Sequence, residues 1–158
     1  MTTVHRSAPA PVALAGFLAA VAVVAVVGGL AASSSRAVYA GLEQPPWAPP
    51  SWLFGPVWTV LYLLIAVSGW WYWRAGGTRG GFTWYAVGLV LNAAWTPLFF
   101  AAGAYTLALV EIVLLDVAVA GAVAVFWRRS RVAAALQIPY LAWTLFATAL
   151  NTAIVVLN

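Results

Sequence analysis

The chain has 158 residues, 6% of them charged and 65% hydrophobic, with a mean hydropathy of +0.98. A soluble domain carries about 25% charged residues, so these side chains cannot cover a globule, and their hydrophobicity excludes a disordered chain. Cysteine is absent, which removes disulfide frameworks and thiolate chemistry, and ten tryptophans stand beside seven arginines and no lysine. The class left is an all-α integral membrane protein. The pI near 10 rests on few charges, so it reads as a topology signal rather than as nucleic-acid binding.

A spanning helix needs about 20 apolar residues, and five such segments follow one another in a single membrane domain over 1–158. The first, about 11–32, lies in a stretch without charge from Ser7 to Ser35. Its alternative is a cleaved signal peptide, with His5 and Arg6 as the basic region and Ala31-Ala32-Ser33 as the cleavage site. The second, about 52–73, has Ser51 as its expected N-cap and Pro56 in its first turns. The third, about 83–102, follows the breaker Gly76-Gly77-Thr78-Arg79-Gly80-Gly81. The fourth covers about 105–127 and the fifth about 132–157. Pro97 and Pro139 each free a carbonyl and are expected to kink their helices.

Alternation of the spans puts Arg6, Arg74, Arg79, Arg128, Arg129 and Arg131 on one side, and only Arg36, beside Glu43, on the other. That bias makes the first side cytoplasmic, with the first loop and the C-terminus outside. Trp70, Trp71, Trp73, Trp84 and Trp127 fit an aromatic belt at the cytoplasmic interface.

The belt does not explain Trp58, Trp95 and Trp143, nor Asn92, Asn151, Glu111 and Asp116, all inside spans. Counted at 1.5 Å per residue from the outer helix ends, Trp58, Glu111, Trp95 and Asn151 lie about 9–10 Å deep, Asn92 and Tyr62 about 15 Å, and Trp143 about 21 Å. Polar groups facing lipid are costly, so these residues describe an amphipathic, aromatic cavity under the first loop. Asn92 and Asn151 read equally as interhelical hydrogen-bond glue, and Trp95 as core packing. No arginine lies within a span to pair with the acids, so Asp116 is expected protonated or hydrogen-bonded to a neighbour. Five residues of separation put Glu111 and Asp116 about 140° apart on their helix, which rules out a carboxylate dyad. No metal site is expected, since the one histidine is His5 in the tail.

The first loop, about 33–51, is proline-rich: five prolines fall between Pro45 and Pro56. They stiffen it into an expected aromatic lid over the cavity mouth. Its pattern Tyr39-Ala40-Gly41-Leu42-x-x-Pro45-x-Trp47-x-Pro49-Pro50, then Gly55-Pro56-Val57-Trp58, resembles the signature of the TspO/MBR family. Leu91-Asn92-x-x-Trp95-x-Pro97-x-Phe99-Phe100, Ala108-Leu109-Val110-Glu111, Pro139-Tyr140-Leu141-Ala142-Trp143 and Leu150-Asn151 resemble its later motifs, in order.

The resemblance implies a five-helix bundle, usually a homodimer, in a bacterial membrane. It implies no obligatory cofactor, and ligands such as protoporphyrin IX, haem, sterols and benzodiazepine-type drugs. Pocket positions carried over by the motifs are Tyr39, Trp47, Trp58, Asn92, Trp95, Trp143, Ala147 and Leu150. Tyr62 and Asn151 join them from the depth count. Three functions follow as expectations: a porphyrin-binding receptor in tetrapyrrole or stress signalling; a light- and oxygen-dependent porphyrin-degrading enzyme using Trp58 and Trp143; or a porphyrin or sterol transporter. Three positions depart from the family pattern: Val38 where some bacterial members have tryptophan, Gln44 in place of a loop lysine, and a tail without the sterol motif. Arg36 is the nearest cation left for porphyrin carboxylates. The small-residue rows Ala118/Ala122 and Ala25/Gly29 permit close helix contact, in a dimer or equally inside one bundle.

Overall fold

The computed structural model describes residues 9–32 and 35–158; His5, Arg6 and Ser33, and the side chain of Arg36, lie outside what it describes. Among the described residues there are six α-helices and no strand: α1 (Ala10–Ala31), α2 (Ser35–Gly41), α3 (Phe54–Arg74), α4 (Arg79–Thr96), α5 (Tyr105–Trp127) and α6 (Arg131–Leu157). A 3₁₀ turn, Ser51–Leu53, leads into α3, and a π turn, Pro97–Ala101, extends α4. With these extensions five helices are long and apolar enough to cross a membrane. They close into a ring in which α1 packs on α3 and α4, α3 on α6, α6 on α5, and α5 on α4.

The helix ends follow local chemistry. α4 starts at Arg79, four residues before its expected start, because the Thr78 hydroxyl accepts from Gly81 N at 3.2 Å and caps the first turn. Ser130 caps α6 in the same way, through Ala133 N at 3.2 Å. Ser51 is no cap; it sits inside the 3₁₀ turn, and α3 begins without a side-chain cap. Pro97 opens the π turn, whose signature bond runs from Ala102 N to Pro97 O at 2.9 Å. α6 runs on through Pro139.

The arginine-bearing end is closely packed. Tyr72 is fully buried, its ring stacked on Phe126 at 3.8 Å. Its hydroxyl accepts from Thr78 N at 3.1 Å and meets the Thr78 hydroxyl at 3.0 Å, so one side chain holds the α3–α4 turn. Gly76 takes a left-handed φ of 71° there, as glycine alone does without strain. The Arg74 guanidinium lies 4.9 Å from the Trp70 ring and 5.2 Å from Trp71, within cation–π range. Trp70 donates its indole N–H to Ala10 O at 2.9 Å, which pins the start of α1 to the end of α3.

Ala118 and Ala122 are buried inside the bundle, and Ala25 and Gly29 line its cavity. Asp116 accepts a hydrogen bond from the Thr148 hydroxyl at 2.7 Å, which joins α5 to α6.

Gly69 tests this packing. A Cβ there would stand 2.7 Å from the Phe17 ring and 2.8 Å from the buried Tyr85 ring. Gly69→Ala should cost about 1–3 kcal/mol through overpacking. Gly16→Ala, with nothing within 4 Å of the new methyl, should be neutral or stabilising by up to about 1 kcal/mol. Thermal unfolding in one detergent compares the two.

Candidate functional site

The opposite end of the ring is hollow. A cavity of about 540 Å³ lies between α1, α2, α3, the π turn and α6, within the 300–1,000 Å³ range of ordinary ligand pockets. Three sequence features shape it. Ala25, Gly28, Gly29 and Ala32 give α1 a surface of small side chains toward it. The π turn rolls Phe99 and Phe100 onto the same wall as Trp95, with ring centroids 5.0 Å and 6.0 Å from that indole. α3 contributes Trp58 and Tyr62, whose rings lie 5.3 Å apart.

The wall is held by hydrogen bonds between helices. Asn151, 1% exposed, accepts from Trp95 Nε1 at 3.3 Å and donates to Tyr105 O at 3.0 Å, joining α6 to α4 and α5. Tyr62 donates to Asn92 Oδ1 at 3.2 Å, joining α3 to α4. Trp58 Nε1 has no hydrogen-bond partner among the described residues, and the described lining residues carry no charged side chain. The cavity therefore offers flat apolar faces and a few neutral donors. It suits a planar hydrophobic molecule with little polar edge.

Of the residues singled out from the sequence, Tyr39, Trp58, Tyr62, Trp95, Ala147, Leu150 and Asn151 line this cavity. Asn92 is buried behind Tyr62. Trp47 and Trp143 are not on the wall. Trp143 packs behind Phe54, with centroids 6.0 Å apart, and against Phe146 at 5.4 Å. Trp47, half exposed, rests on Phe146 at 5.8 Å.

Counting depth from helix ends put Trp95 and Asn151 at one level, as their hydrogen bond has them, but set Trp143 too deep, because the spans are unequal. α6 has 27 residues, α3 21 and α5 23. At 1.5 Å per residue α6 is about 40 Å long and overshoots both. Trp143 therefore stands beside Phe54, the first residue of α3, and Asn151 bonds to Tyr105, the first residue of α5. Trp52, Thr59, Thr96, Phe99 and Phe100, and the small residues of α1, also line the cavity and were not anticipated. Nothing in a span rich in alanine and glycine throughout set Gly28-Gly29 apart.

The loop forms the wall only at its two ends, through Ser35, Tyr39 and Ser51. Residues 42–50 do not line the cavity. Leu42 and Ala48 instead pack on the cluster of Tyr39, Phe99, Ala108, Leu150 and Ile154. The loop is tied down by Tyr39 donating to Pro49 O at 3.1 Å, and by Gln44 donating to Tyr39 O. Glu43 N donates to Asn158 Oδ1 at 3.0 Å, and Asn158 Nδ2 donates to Glu43 O at 3.1 Å. Burial raises the Tyr39 phenol above its ordinary 10.0, which keeps it a donor at neutral pH.

Comparison with known proteins agrees with these motifs. The profile of the TspO/MBR family matches residues 17–157. The tryptophan-rich protein TspO of Archaeoglobus fulgidus is 40% identical over 148 residues, 92% of this chain and 95% of that one. The human translocator protein is 41% identical over 121 residues, 72% of this chain and 70% of its own. Protein CrtK of Rhodobacter capsulatus is 32% identical over 132 residues, 79% and 81% of the two chains.

Asn151→Leu should cost about 1–3 kcal/mol, because it orphans the Trp95 N–H and removes the tie to the Tyr105 carbonyl. Thermal unfolding measures the cost. Exposed Asn158→Ala, which cuts the loop clip and the Nδ2 bond to Ile154 O, should cost about 1 kcal/mol.

Proposed function

The chain belongs to the TspO/MBR family of membrane proteins, and we propose that it is a receptor whose cavity binds protoporphyrin IX, haem or a similar flat hydrophobic ligand. The observation that carries this reading is the wall itself: Trp58, Trp95, Phe99 and Phe100 around about 540 Å³, with no charged side chain among its described lining residues. A macrocycle stacked on these rings buries apolar area and gains about 0.5–1.5 kcal/mol per ring pair beyond it. The Trp58 N–H and the hydroxyls of Ser35, Ser51 and Thr96 are the donors on the wall for its polar edge. The arginines that end α3, follow α5 and begin α4 and α6 support a cytoplasmic position for that end under the positive-inside rule, with the cavity in the outer half of the membrane.

Titrating intrinsic fluorescence with protoporphyrin IX tests the reading. Saturable quenching is expected, with affinity about tenfold weaker in Trp58→Ala, the weight of one lost stacking ring. Trp143→Phe, behind Phe54, should stay near the wild-type value. The reverse ranking would place the ligand elsewhere.

One observation favours a second reading, light-driven porphyrin oxidation by dioxygen. The Trp58 ring stands between Tyr62 at 5.3 Å and Tyr140 at 6.2 Å, a row of oxidisable side chains leading from the cavity into the core. Trp143, the other expected participant, lies behind Phe54 and off this row. Illuminating the saturated complex in air should produce bilin-like absorbance that falls in Trp58→Phe. No new band at full occupancy leaves binding alone.

A further inference from the structure

The cavity wall is not evenly enclosed. Of its lining residues, five are exposed at the protein surface: Gly29, Trp52, Gly55, Pro56 and Thr59. All five lie on one seam, between the last turns of α1 and the 3₁₀ turn with the first turns of α3. The lining residues from α2, the π turn and α6 are buried or half-buried. Gly29 ends about 3 Å short of the end of α1, and Thr59 lies about 8 Å inside the start of α3. The seam is thus at membrane depth, in the leaflet on the side of the first loop.

Two features make the seam an opening. Gly29 and Gly55 bring no side chain to the seam, and a Cβ on either would meet nothing within 4 Å. On the water side, the loop is clipped by the Tyr39–Pro49, Gln44–Tyr39 and Glu43–Asn158 hydrogen bonds, and residues 42–50 stay off the wall. We propose that the cavity is loaded sideways, through a slot between α1 and α3 lined by Gly29, Gly55 and Thr59, by a ligand already dissolved in the lipid of that leaflet.

This rests on the ligand-binding reading above and adds the route and the phase from which the ligand comes. A flat apolar molecule partitions into acyl chains before it meets the protein. The slot then spares it a passage through a polar loop, and spares the protein the opening of its hydrogen-bonded roof. Trp52, 63% exposed at the rim, sits where an indole favours the membrane interface.

The experiment fills the slot from outside. Gly29→Leu with Gly55→Leu places side chains into open space, and leucine is the better helix former. In phosphatidylcholine vesicles, association and dissociation of protoporphyrin IX should both slow by about tenfold or more, with their ratio little changed, as for a blocked gate. Asn158→Ala, which releases the roof clip, should leave both rates unchanged. Unchanged rates in the double glycine variant would overturn the proposal, as would faster exchange in Asn158→Ala.

A second probe needs no porphyrin. In vesicles of phosphatidylcholine brominated on its acyl chains, part of the tryptophan quenching should be lost in Trp58→Phe, and the same part lost when the slot is filled. Absence of any Trp58-dependent quenching would overturn the slot. Its presence in a protein that never binds protoporphyrin IX would uphold the slot and sink only the assignment of ligand.

Discussion

Asn151 uses its amide twice, accepting from the Trp95 indole and donating to the first carbonyl of α5. In lipid a polar side chain is tolerable only when another part of the protein satisfies it, and here that requirement becomes architecture. The pair of bonds fixes α6, α4 and α5 at the loop end. It holds the Trp95 ring against Phe99 and Phe100 and so stiffens one side of the cavity. The other side is α1, whose contribution is alanine and glycine. A rigid aromatic back and a thin small-residue front are two results of the same economy in polar groups.

Other polar groups remain without partners. Both carboxyl oxygens of Glu111, Oδ1 of Asp116 and the Tyr140 hydroxyl are buried and make no hydrogen bond among the described residues. Such groups cost stability, and close packing elsewhere must offset them. The fully buried Tyr72, stacked on Phe126 and bonded to Thr78, is one place where it does. The bundle is divided along its axis, dense where the arginines cluster and open where the first loop crosses.

The spans were legible because each is a long apolar run bounded by arginine, glycine or proline. The inward direction of Trp58, Trp95 and Asn151 was legible because indoles and amides at membrane depth avoid lipid. The level of Trp143 was not. Depth counted from each helix end assumes that the ends are flush, and the 27 residues of α6 against 21 in α3 break that assumption. Trp143 therefore landed beside Phe54 instead of deep in the cavity. The share of α1 in the wall was missed for a different reason: alanine and glycine carry no chemical signature, and their part is to leave space. The π turn was hidden in Pro97, which signals a disturbed helix without saying which residues the disturbance turns inward.

The division into a dense end and a hollow end also bears on how the protein responds to force. Close-packed interiors have low compressibility and transmit strain, whereas voids are what pressure removes. The stacked Tyr72–Phe126 end should behave as a nearly incompressible plug. The volume available to hydrostatic pressure, or to the lateral pressure of a stiffening bilayer, is concentrated behind Gly28 and Gly29. Mechanical stress on the membrane would thus be felt first as a change in cavity volume, and the state of the lipid would be coupled to the capacity of the site without any movement of the arginine-bearing end.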